Sequence, residues 1–179
     1  TYGGLNLPPT VLETPGFPGS IQTQAVPMGG EIMGAGVGDR FSLAIEAQAD
    51  PKSGHLDRIQ VVKGWIDATG ETQERVYDAA WSGDDRLLPD GALAAVGSSV
   101  DLNTGLTANT IGSPRLTAVW QDPEFDPAQS AFYYVRVLQI PTARHSLLAP
   151  GAESDPDLSP LIFAPSRSAV AAAAKFAKP

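Results

Sequence analysis

At 179 residues the chain can build one good core, and its 18 glycines and 16 prolines favour turns and short strands over long helices. A formal charge of -8 argues against a nucleic-acid surface, and the absence of cysteine excludes disulfides and thiolate metal sites. Hydrophobic content of 42% argues against wholesale disorder, and no apolar run approaches the roughly 18 residues needed to span a bilayer.

The chain begins at Thr1 without an n-region or h-region, which implies a removed leader or a place within a longer polypeptide. Residues 1–40 are punctuated by Gly3-Gly4, Pro8-Pro9, Pro15-Gly16, Pro18-Gly19, Gly29-Gly30 and three further glycines up to Gly38. No apolar period survives this, so the stretch reads as an extended N-terminal arm. It either packs on its own domain or lies on a partner.

From Arg40 to Ala49 the sequence alternates, with Phe41, Leu43, Ile45, Ala47 and Ala49 on one face and Ser42, Ala44, Glu46 and Gln48 on the other. That pattern predicts a half-buried strand. Asp50–Gly54 is a turn, and Arg58–Asp67 is a second strand. Ala68-Thr69-Gly70 closes a hairpin into Thr72–Trp81. A weak strand is expected near Ala94–Leu102, and a clear one at Leu116–Trp120. The acidic crossover Asp122-Pro-Glu-Phe-Asp-Pro127 leads to Ala131–Ile140, the clearest strand in the chain. Both its faces are mostly apolar, which predicts a central strand covered on both sides, and Pro141 ends it. Phe41, Trp65, Trp81, Trp120, Phe132 and Tyr134 are the expected core anchors, each contributing about 2–3 kcal/mol on burial. Ser168 is placed to cap a short helix over 168–178.

The sum is an all-β chain, an antiparallel β-sandwich of immunoglobulin-like architecture, with an arm over 1–40, the β-domain over 41–141 and a C-terminal extension over 142–179. No complete active site is legible. The two histidines, His55 and His145, form no metal-binding spacing. Asp122, Glu124 and Asp126 are the weak candidates for a metal. The run fails as a calcium loop, because its sixth position is Pro127 and its twelfth is Tyr133. The alternative is a solvated acidic crossover with Phe125 plugged inward. Arg144 and His145, just past the clearest strand, could contact an anion; the alternative is a surface pair. His55 reads as exposed in a glycine-flanked turn. Tyr133, Tyr134 and the tryptophans could form a sugar platform if exposed, or belong to the core. No cofactor is called for by any motif.

Several long motifs carry a resemblance. They are Val26–Glu31, Leu56–Trp65, Val76–Asp78, Ala80–Asp84, Asn109–Gly112, Trp120–Pro127, Ala131–Leu138, Ile140–Thr142 and Ser159–Pro165. Together they resemble a secreted bacterial family known as domain of unknown function 3604. The resemblance implies kinship with polymerase-and-histidinol-phosphatase-type metal-dependent hydrolases. It also implies a periplasmic or extracellular location, and an N-terminal catalytic half that nothing here matches. No catalytic residue carries over, and Arg144 is the matching position with a possible supporting role. Two functions follow as expectations. One is a non-catalytic structural or assembly subunit of an envelope complex, meeting other protein subunits through 1–40 and 142–179. The other is an accessory domain of a periplasmic hydrolase. A carbohydrate-binding module is a weaker third.

Overall fold

The computed structural model describes residues 1–143 and the backbone of 167–168 and 174–176. Strands dominate. In chain order they are β1 (Tyr2–Leu5), β2 (Ala25–Pro27), β3 (Glu31–Ile32), β4 (Phe41–Gln48), β5 (Leu56–Ile66), β6 (Thr72–Trp81), β7 (Arg115–Gln121), β8 (Ala131–Gln139), β9 (Arg167–Ser168) and β10 (Ala174–Phe176). Two sheets result, one ordered β2-β1-β4-β7 and the other β3-β10-β8-β5-β6, with β9 also on β8. Pairing is antiparallel except for the two-residue β3–β10 contact.

Side chains of both sheets meet in one core. β4 supplies Phe41, Leu43 and Ile45, β5 supplies Ile59 and Val61, β7 supplies Leu116, and β8 supplies Tyr133, Val135 and Val137. The predicted hairpin forms as read: Ile66 pairs with Thr72 across a turn in which Asp67 accepts from Thr69, Glu71 and Gln73. Gly70 supplies the positive φ that the turn requires.

The structure departs from the sequence reading in five places. First, the N-terminal stretch read as an arm outside the β-domain contributes β1 and β2 to a sheet, so its first part follows the own-domain alternative of that reading. β1 lies between β2 and β4, and Leu7, Val11, Ile21 and Ala25 pack against Ala44. This layer covers the face of β4 expected to be wet, so Ser42 and Ala44 are buried. Second, the core face of β8 is the one carrying Tyr133, Val135 and Val137; Phe132 is 46% exposed. Third, Trp65 and Trp120 only partly enter the core. Fourth, no strand forms near 94–102, where the long connection 82–114 holds itself with isolated bridges at Leu87–Leu93 and Val100–Thr107. Fifth, within the range 168–178 expected to be helical, the described residues Ser168 and Ala174–Phe176 are strand. Ala174–Phe176 pairs with β8 and β3, and Ser168 pairs with Val137 rather than capping a helix. A ten-residue helix is marginal in water, whereas the edge of β8 offers ladder partners.

Candidate functional site

The crossover from β7 to β8 organises the most distinctive chemistry among the described residues. Asp122 closes β7's end, where its N–H donates to Phe41 O at 3.0 Å. Its carboxylate turns inward. Lys63, on the core face of β5, donates from Nζ to Asp122 Oδ2 at 2.7 Å and to Glu124 O at 2.8 Å. Tyr133 donates its hydroxyl to the same Oδ2 at 2.5 Å, and Glu124 N–H donates to Oδ1 at 2.9 Å. Lys63 and Asp122 side chains are only 3% and 0% exposed. The ammonium also lies 5.3 Å from the Trp65 ring centroid and 5.8 Å from that of Tyr133. Burial, then the Asp122 carboxylate, pushes the Tyr133 hydroxyl far above the usual phenol range.

Glu124 faces outward from the same turn. It forms an ion pair with Arg75 and accepts from the Tyr77 hydroxyl at 2.9 Å. Burial and that bond raise Tyr77 to about 12. Asp126 accepts from Ala128 N–H at 2.9 Å, bracing its own turn. The candidate metal ligands Asp122, Glu124 and Asp126 are thus spent on separate partners. Among the described residues no three such side chains gather to hold a metal ion. Phe125 packs against Phe41 at the core's edge, as the alternative reading of this run expected, whereas Asp122 is buried and not solvated.

Beside this turn lies a cleft of about 680 Å³, between Val37–Arg40 and Gln121–Ala128. Asp39 on its wall sits below the usual carboxylate range, because the Gly36 N–H and the Asn6 side chain both donate to it.

A second polar cluster occupies the opposite end of the strands. Asp57 lies between Arg58 (3.0 Å) and Arg86 (2.7 Å). Arg86 also donates to Ser82 O and Ala94 O, clamping the start of the connection 82–114. His55 is not the exposed residue expected. It is partly buried, and its Nδ1 has no hydrogen-bond partner among the described residues. Asn109 accepts from the His55 backbone N–H and donates to Ser53 O, lacing the turn to the long connection. Arg144 and His145 lie outside the described residues. The described chain reaches Ala143 at the rim of a 340 Å³ cleft shared with Lys52, Asn109 and Thr142.

Sequence reasoning singled out Asp122 but missed Lys63. The signal was a lysine at a core-facing position of an apolar strand, flanked by Val61 and Trp65.

The family comparison decides the wider placement: residues 1–157 match the family described as protein of unknown function (DUF3604). The chain belongs to the DUF3604 family. Every internal motif that carried the resemblance, up to Ile140–Thr142, falls within the matched range. No curated protein and no solved structure matches this DUF3604 chain significantly.

Proposed function

We propose that this DUF3604 chain is a non-catalytic assembly module of a bacterial envelope complex, built as a β-sandwich descended from a hydrolase-like family. The observation that carries this reading is the connection 82–114. It is anchored by Arg86 and Asn109, yet it presents Leu87, Leu88, Leu102 and Leu106 to solvent, with Leu106 69% exposed. Long ordered connections carrying apolar side chains outward are typical of interaction surfaces. The inward chemistry agrees with it. Lys63, Asp122 and Tyr133 satisfy one another, which suits a structural centre rather than a reacting one.

The role proposed for the N-terminal stretch narrows accordingly. Residues up to Ala25 are used on the chain's own sheet, leaving Met28, Met33 and Val37 as its outward apolar side chains. The periplasmic or extracellular setting belongs to the same proposal. Among the described residues no helix is long and apolar enough to cross a membrane.

Native mass spectrometry of gently purified source material tests the reading. The expected result is a chain near 18.7 kDa flying with other polypeptides. A single larger, metal-loaded polypeptide containing this sequence would replace it with the accessory-domain reading.

A further inference from the structure

We propose that the face of β5 and β8 turned away from the core is a binding platform for an acidic glycan. Phe132, Tyr134 and Arg136 occupy alternate positions of β8, so all three project from that face. The rings of Phe132 and Tyr134 are parallel to within 9°, with centroids 6.4 Å apart. Phe132 is registered opposite Gly64, and a Cβ on Gly64 would sit 2.3 Å from the ring's Cζ and 2.4 Å from its Cε1. The ring therefore lies across the neighbouring strand instead of standing up from the sheet, and only glycine leaves it that room. Tyr134, registered opposite the fully buried Val62, keeps the same ring orientation. The two rings form a flat strip along the strand, and Phe132 remains 46% exposed.

A flat aromatic strip, negative over its ring faces, suits the apolar C–H face of a pyranose. Arg136 decides the charge of the ligand. Its Nε and Nη2 donate to Gln60 Oε1 at 2.9 and 2.6 Å, and Gln60 donates onward to Asp78 at 2.8 Å. This holds the guanidinium in place. Among the described residues it has no carboxylate partner, whereas Arg58 is spent on Asp57 and Asp78, and Arg75 on Glu124. Among the described residues Nη1 and one Nη2 proton stay unspent, which is complementary to a sugar carboxylate. With a net charge of -8 the chain offers no long-range attraction to a polyanion, so recognition rests on this local contact.

Isothermal titration of the whole chain with oligogalacturonate, and separately with cello-oligosaccharide of equal length, tests the platform. The expected result is binding of the acidic glycan at least about tenfold tighter than the neutral one. Arg136→Gln should remove that preference, and Phe132→Ala with Tyr134→Ala should abolish binding of both. Thermal melts establish that each variant folds; where the double variant does not, Phe132→Leu should weaken binding on its own. Absence of heat with both glycans overturns the proposal, as does equal affinity for the two or full affinity in folded variants. None of these outcomes touches the assembly reading, which native mass spectrometry tests separately.

Discussion

Lys63 shows what a single residue can demand of the chain around it. An ammonium in an apolar core is unaffordable alone, and here one carboxylate, one carbonyl and two aromatic rings receive it. Removing one partner strands the other. Lys63→Ala is expected to destabilise the fold by about 3–5 kcal/mol in urea denaturation. Lys63→Met combined with Asp122→Asn should cost less than Lys63→Ala, because no buried charge is then left unpaired. At the exposed hairpin, Asp67 is lowered to about 2, first by the Thr69 hydroxyl and then by the Glu71 N–H. A depressed carboxylate contributes stability that is present above its ordinary value of 3.8 and is lost as pH falls toward 2. In Thr69→Ala the Asp67 midpoint should move upward, and the hairpin's acid loss should begin at higher pH, as followed by carboxyl-carbon NMR titration. The acidity of Asp122 was visible in the sequence; its partner was not, because Lys63 lies 59 positions away and joins it only once β5 and β7 are packed.

At the scale of elements, alternation located β4, β7 and β8, β-branched and aromatic enrichment located β5, and the hairpin turn located β6, with ends shifted by only a residue or two, because all three signals are local. Alternation could not assign the inner face of β8, which is apolar on both sides. That choice turns on Gly64, which admits the Phe132 ring outside, and on Asp122, which takes the Tyr133 hydroxyl inside. The N-terminal layer was illegible for another reason. Its hold on β4 comes from tertiary contacts and tight approaches, not from any period of its own. At Gly4 a Cβ would come within 2.7 Å of the Gln24 carbonyl oxygen, a backbone atom that cannot swing aside. Gly4→Val is expected to loosen β1 and the layer up to Ala25. Hydrogen exchange should show lost protection at Tyr2–Leu5 while β5, β6 and β8 keep theirs.

For the whole molecule, the outward leucines of 82–114 and the inward charges make opposite predictions under substitution. Changing Leu87, Leu102 and Leu106 together to serine should leave stability within about 0.5 kcal/mol per site, since exposed side chains contribute little to folding. The same variant should lose partner chains in native mass spectrometry. Retained association would move the proposed contact surface elsewhere, with Met28, Met33 and Val37 the next side chains to change.

The sequence by itself determined a β-rich chain, its hairpin and the principal strands, because composition, turn residues and local alternation are readable without knowing what packs on what, and its long motifs carried the likeness to DUF3604. Tertiary structure alone decided four things: the cover over β4, the inner face of β8, the Lys63–Asp122–Tyr133 centre and the pairing of Ala174–Phe176 with β8. Each depends on a neighbour distant in sequence, and burial, unlike periodicity, is a property of the pair.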